Sequence, residues 1–463
     1  RPILPITRPA LPAERLAMRF RCARPVWGLL PALALVSTAQ AHEPPTFHKD
    51  VEPILQQSCQ DCHHPGEVAP FSLLTYESAR KRAADLAALA AEHKMPPWPA
   101  STSVGGPFRD ARVLSDREIA TLTAWADAGA PEGNPADAPA PRSFDSEWLL
   151  GEPDLVLRPS QAYHLEASGD DELRVFVIPS HLTEGKWVRA IDFKPGNPRV
   201  VHHILSAFDT QGRAREKDEA DPGPGYASFA GFRIIPSGRL GGWAPGKRPQ
   251  ELPEGVGRYL PAGADILIQI HYHKSGKPEE DATAVGLYFA EKAPDKQVRG
   301  GLVVPPRKLR LFGPGRFGRP ELSIPAGDAN YEVRASDTIN QDVHMTAVVP
   351  HMHWLGKDFL MTAHLPDGSE RTLIKIDHWD FNWQGTYDFV EPIALPAGTR
   401  IDLLAHFDNS ADNPVNPNTP PKDVHWGEQT TDEMCIGFYQ VTYDAEHLHG
   451  RPPARFRAEA QEE

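Results

Sequence analysis

Cysteine is scarce in this chain, with four among 463 residues. Cys22 lies near the start, Cys59 and Cys62 sit close together, and Cys435 stands alone. So few thiols exclude a disulfide framework, and a chain of this length must hold its fold by burial. Positive charge is also in short supply. Lys and Arg total 48 against 62 Asp and Glu, a formal balance of −14. Such an acidic chain argues against nucleic acid or an anionic membrane as a partner, and leaves room for basic partners and metal cations. After the first 41 residues no apolar run is long enough to span a membrane.

Those first 41 residues hold six of the arginines. From Met18 the chain reads "MRFRCARPVWGLLPALALVSTAQA": basic residues, an apolar stretch, then the small-residue site Ala39-Gln40-Ala41. This is the pattern of a secretory leader cut after Ala41, which makes residues 1–17 upstream translation and the mature protein periplasmic or secreted. Cys22 would leave with the leader.

Proline, by contrast, is abundant. Its 48 occurrences are about twice average usage and favour turn-rich β structure. The length implies two or three domains. Residues 42–130 read as helical. "TYESARKRAADLAALAAEHK" has helix-forming composition and is stopped by Pro96-Pro97. "SDREIATLTAWADAG" begins at a Ser115 cap and ends at Gly129. A Pro/Ala linker follows over 131–145. Beyond it come short alternating segments such as "LRVFVIP", "ADILIQIHYH", "FLMTAHL" and "RIDLLAHFD", separated by turns. They predict two antiparallel β-sandwiches over 146–310 and 311–450, with a charged tail over 451–463. The expected architecture is multidomain: one small all-α domain, then two all-β sandwiches.

Two sets of residues carry chemistry. The first is "SCQDCHH", where Cys-x-x-Cys-His in an exported chain reads as covalent haem c attachment. Cys59 and Cys62 would form the thioethers and His63 would be an axial ligand. Met95 in "KMPPW" is the leading sixth ligand, a thioether on a Pro-fixed loop, with His93 and His64 as rivals. The surrounding "CHHPGEVAPFSL" and the terminal helix resemble small class I cytochromes c.

The second set lies in the β region. His271 and His273 in "QIHYHKSG" fall at i, i+2 on one strand face, as do His351 and His353 in "VVPHMHWLGK", and Met434 follows in "TTDEMCIGF". Imidazole with thioether suits copper. The stretch "RVVHHILSAFD" places His202 beside His203 in an apolar run. On a regular strand these two would face opposite ways, so either each has its own partner or the backbone is distorted to aim both at one ligand. Blue copper is disfavoured, because Cys435 has no Met after it. Other histidines, namely His344, His364, His378 and His406, read as structural or exposed.

In order, the His pair, the His of "QIHY", His-x-His before "LGK" and "DEMC" resemble the type II copper, ascorbate-dependent monooxygenases. This is the family of the peptidylglycine α-hydroxylating and dopamine β-monooxygenases, and the likeness covers about residues 145–445. It implies jelly-roll-like sandwiches and two copper ions. His202, His203 and His271 would hold the electron-transferring copper, and His351, His353 and Met434 the one where O2 reacts. The two would face each other across an open, solvent-filled cleft. Hydroxylation of a small organic substrate would follow, with electrons from an external donor relayed by the haem. The family's carboxylate-gripping Arg is replaced here by Val349, and its polar residues past the Met by Ile436 and Phe438, which implies an apolar substrate rather than a peptidylglycine. The alternative is a non-catalytic electron-transfer or copper-handling protein on the same scaffold.

Overall fold

A computed structural model of the chain describes residues 43–144, 148–228, 231–306, 321–427 and 429–457. The expected leader, Cys22 and the expected domain change at 311 lie outside the described residues. The fold is mostly antiparallel β with few helices.

Period-two apolar patterning builds two pairs of facing sheets. In the first pair, one sheet runs in the order Tyr226–Ala227, Glu172–Pro179, Asp265–Tyr272, Val201–Asp209, Gly238–Trp243. Its partner sheet runs Lys296–Gln297, Val256–Leu260, Lys186–Lys194, Ala284–Phe289, Leu155–Leu157. Phe176, Ile204 and Ile268 from one sheet pack on Val188, Val285 and Leu287 from the other. The central strand Asp265–Tyr272 is buried along its whole length. Its outer face is covered too, because Leu267, Val175 and Ala207 pack with Ala214 of the helix Arg213–Ala220.

The second pair joins the order Ala100–Gly105, Glu370–Ile376, Gly356–His364, Arg400–Phe407, Tyr331–Thr338 to the order Arg299–Val303, Cys435–Tyr443, Val343–Met352, Tyr387–Leu395. Phe359, Met361 and Leu403 meet Met345, Val348 and Tyr439 across it. After the strands of the first pair, the chain passes into the second at Arg299, upstream of the change at 311 that the turn-rich sequence suggested. Arg299–Val303 pairs residue by residue with Val441–Gly437, and that ladder draws it out of the first pair.

Most of the helical elements lie within residues 47–127. A π-helical turn, Phe47–Val51, leads into the helix Glu52–Ser58. The single helix expected over 75–94 is two, Tyr76–Arg80 and Ala83–Ala91, the first capped by Thr75. Asp116–Asp127 has the Ser115 cap that the sequence suggested, completed by Glu118. Phe47, Leu55, Leu122 and Trp125 form the core of this part, and the Trp125 indole N–H donates to the Pro131 carbonyl at 2.9 Å.

One segment departs from the helical reading. Residues 100–105 form an edge strand paired with Glu370–Ile376 of the second β-pair. Pro96, Pro97 and Pro99 bar a helix there, and the Ser/Thr/Val run that follows favours a strand. The strand closes at Gly105, whose φ of +86° and 3.0 Å approach of a would-be Cβ to the Leu373 carbonyl oxygen leave no space for a side chain. Flanking it, Trp98 and Phe108 pack on Tyr387 with ring centroids at 5.2 and 5.3 Å. The Pro/Ala stretch is held as well, since Gln56 donates to the Ala140 carbonyl and Arg142 donates to the Gln56 carbonyl. Among the described residues no helix is long and apolar enough to cross a membrane.

Replacing Trp125, fully buried at the centre of the helical core, by Ala should destabilise that part by about 3–5 kcal/mol. Chemical denaturation followed at the helical circular-dichroism band should show an earlier transition, and an unmoved midpoint would contradict the assigned core.

Candidate functional site

The strand Val201–Asp209 is not regular where the two histidines stand. His203 lies opposite His271, but the next residue of the partner strand, Tyr272, lies opposite Val201, so His202 is the extra residue of a β-bulge. The bulge breaks the alternation of faces and brings both rings to one side. The Nδ1 atoms of His202 and His203 are 3.2 Å apart. The His271 ring is 4.9 Å from each of them, centroid to centroid.

One ligand atom from each of His202, His203 and His271 falls within 4.8 Å of the others. Two nitrogens bound to one metal at about 2 Å each stand roughly 3 Å apart, the spacing of the His pair. His271 is almost fully buried, and its Nε2–H donates to Asp171 Oδ2 at 2.9 Å. That bond fixes the tautomer and leaves the Nδ1 lone pair buried without a hydrogen-bond partner. A buried, orphaned acceptor aimed at two further ring nitrogens fits a metal ion and is otherwise costly. His273 is outside this set. Its exposed ring donates through Nδ1 to the other Asp171 oxygen at 3.0 Å.

His351 and His353 meet with ring centroids 5.3 Å apart. Here the opposite nitrogens are occupied. Nδ1–H of His351 donates to Gln384 Oε1 at 2.5 Å, and Nδ1–H of His353 donates to the Asp432 carbonyl at 3.0 Å. Both Nε2 atoms are therefore the ones available to a ligand. Met434 is tied to the same place through its neighbour. The buried Glu433 carboxylate accepts the backbone N–H groups of His353 at 2.8 Å, Leu355 at 2.6 Å and Met434 at 3.1 Å. Burial pushes the Glu433 carboxyl up to about 8 despite those donors.

A loop between Glu370–Ile376 and Tyr387–Leu395 links the two clusters. Trp379 Nε1–H donates to the His353 carbonyl at 3.0 Å, and Gln384 is oriented by its own amide donating to the Phe381 carbonyl. The Phe381 ring stacks on His202 at 5.4 Å and 20° and meets His353 edge-on at 6.0 Å and 84°. Phe381 is only 7% exposed, whereas His202, His203 and His351 are half-buried. One phenyl ring touches both sets, because the loop folds its aromatic residue inward against Trp354.

Burial disfavours the charged form of His202, His203, His351 and His353. His202 is pulled down to about 4 by burial and the neighbouring His271, and His353 to about 3 by burial and His351. His203 also lies well below its ordinary range, from burial first and then from nearby histidines that include His351 and His353. Neutral rings near pH 7 are the ligand form.

Val349, Ile436 and Phe438 share the His351 face of the second β-pair, since Val349 lies opposite Phe438 and His351 opposite Ile436. The face beside His351 is therefore apolar. His344, His364 and His406 each have carboxylate partners, and Cys435 is a buried thiol whose pKa burial raises.

In the helical part, Cys59, Cys62 and His63 form one turn after Glu52–Ser58, with the His63 N–H donating to the Cys59 carbonyl. Both thiols are free. His63 Nδ1–H donates to the Phe71 carbonyl at 3.2 Å, which leaves Nε2 as its ligand atom. His64 stacks on Phe144 at 4.1 Å, His93 is exposed, and Met95 is half-buried. Asp61, between the cysteines, pairs with Arg142 at 2.7 Å and with Arg248 of the first β-pair.

Asp171, Phe381, Gln384 and Glu433 were missed by sequence reasoning. Only Glu433, inside "DEMC", stood next to a recognised motif. No family model matches the chain, and no curated protein does. Among solved structures it is similar to the VP2 subviral particle protein of infectious bursal disease virus, at 7% identity over 67% of this chain and 77% of that one, with a TM-score of 0.19. It is also similar to the major capsid protein P2 of bacteriophage PM2, at 10% identity over 63% and 99%, TM-score 0.26.

Asp171→Asn should weaken metal binding at the His202–His203–His271 cluster by about 10–100-fold, measured by competition with a chelator. His203→Ala should remove that binding altogether. Equal affinity in all three proteins would contradict the cluster as a metal site.

Proposed function

We propose that the chain is an exported, haem c-containing dicopper monooxygenase that hydroxylates a small apolar organic substrate with O2. The observation that carries this reading is the pairing of the two histidine clusters. One presents Nδ1 atoms, with an orphaned His271 Nδ1; the other leaves the Nε2 atoms of His351 and His353 available, with Glu433 joining His353 to Met434 through their backbone N–H groups; and Phe381 touches both. Three imidazoles suit an ion that changes only its charge, and His351, His353 and Met434 suit one that keeps open positions, the thioether favouring the reduced state. When bound, these ions would supply the one-electron and O2 chemistry.

Each residue has a part in that scheme. Asp171 and Gln384 set the tautomers of His271 and His351, and Glu433 fixes the His353 loop against Met434. Val349, Ile436 and Phe438 offer an apolar wall that would orient the substrate and exclude water. Cys59 and Cys62 would carry the haem and His63 would ligate it, with Met95 as the proposed opposite ligand. The Asp61–Arg248 contact fixes this turn against the β region. The small all-α cytochrome c-like domain and jelly-roll-like sandwiches belong to the same reading. Overall, a C–H bond breaks and a C–O bond forms. The second oxygen atom leaves as water, which takes two electrons from an external donor and two protons.

Met434→Ile in the copper-loaded protein should abolish product-linked O2 consumption while keeping the haem and one copper equivalent. Retained product formation would sink the monooxygenase, and a metal-replete wild type inert toward O2 across a substrate panel would favour an electron-transfer role. Phe381→Ala should leave both metal equivalents bound and slow haem oxidation in single turnover. Slowing would identify the ring as part of the route between the clusters, and an unchanged rate would remove it.

A further inference from the structure

Away from the histidines, positive charge collects where this acidic chain would least be expected to hold it. Two adjoining clefts of about 70 Å³ each lie between residues 244–250 of the first β-pair, the strand Tyr387–Leu395 of the second, and the 97–112 segment. They share Arg109, Lys247 and Asp388 as walls. Arg258 lines one and Arg112 the other.

Arg189 and Arg248, which also line the clefts, pair with Glu251 and Asp61, whereas Arg109, Lys247 and Arg258 donate to neutral oxygens. Lys247 Nζ donates to the Gly242 carbonyl at 2.7 Å, Arg258 Nη2 to Gln440 Oε1 at 2.8 Å, and Arg109 Nη2 to the Val390 carbonyl at 3.4 Å. Asp388 is the acid facing all three, and burial raises its pKa, which weakens it as a counter-charge. Burial also lowers Lys247 and takes Arg258 down to about 10. With the Arg189 and Arg248 pairs set aside, Arg109, Arg112, Lys247 and Arg258 against Asp110 and Asp388 leave a surplus of positive charge in a confined space, which is costly unless an anion enters. Guanidinium forks match a planar carboxylate in a bidentate manner, and the volume suits a small group.

We propose that this cleft is a binding site for a small organic carboxylate, held by Arg109, Lys247 and Arg258. The adjoining cleft, which shares Arg109, Lys247 and Asp388, is also lined by Gln384, the residue that holds His351. The proposal stands on charge and shape and does not depend on turnover at the metals.

The test is a titration of the full-length protein with benzoate, and in parallel with inorganic phosphate, at constant ionic strength, followed by calorimetry. Saturable binding of one benzoate is expected, weakened roughly tenfold or more in Lys247→Met and in Arg258→Gln. Asp388→Asn, which removes the opposing charge, should tighten it, so the idea does not rest on loss of function alone. Arg334→Gln, an exposed substitution elsewhere, should leave it unchanged. Absence of saturable benzoate binding, or affinity indifferent to the charge of residues 247, 258 and 388, would overturn the site. Phosphate bound as tightly as benzoate would overturn its assignment to carboxylates.

Discussion

Two adjacent imidazoles can serve one ligand only if the strand that carries them stops alternating. Here the change is a single extra residue, His202, inserted opposite the step from His271 to Tyr272. Everything around the first cluster depends on it. The bulge brings the His202 and His203 nitrogens together, the in-register partner supplies His271, and Asp171 locks that ring with its lone pair facing inward. A buried core strand would normally resist such a distortion. This one tolerates it because its neighbour Asp265–Tyr272 is packed on both faces, so the register cannot slip to repair the bulge.

The second cluster is organised differently. His351 lies on the strand Val343–Met352 and His353 just past its end, and precision comes from groups brought in by loops. Gln384 and Trp379 reach in from one loop, and Glu433 from another. That contrast explains how much was legible in the sequence. Residues at fixed short spacing could be read directly: the Cys-x-x-Cys-His turn, the His pair and the His-x-His step. The Ser115 cap and the β texture after residue 145 were equally local signals. Asp171, Phe381 and Gln384 carry no such spacing, and each matters only through a partner that the fold brings from a distance. The edge strand at 100–105 escaped for the same reason, since its hydrogen bonds go to residues 374–376, far along the chain.

Electrostatics divides the molecule into unlike environments. Burial keeps His202, His203, His351 and His353 neutral, whereas the nearby cleft holds more cations than acids. Neutral rings are good donors to soft or borderline ions, and a confined surplus of charge is a good host for an anion. Both environments occur in a chain whose total charge is strongly negative, so the arrangement is local rather than a by-product of composition.

The strand Ala100–Gly105 has one more consequence. A small domain joined to a larger one by a linker is free to wander, and its influence falls off with linker length. Here the helical part is sewn into the neighbouring sheet, since its own polypeptide completes the edge beside Glu370–Ile376. The helices therefore behave as a fixture rather than a tethered arm. Cutting the chain at the Pro/Ala stretch would not separate two self-sufficient pieces. It would strip the outermost strand from the larger piece and leave a raw row of backbone donors and acceptors, a surface prone to pair with other chains.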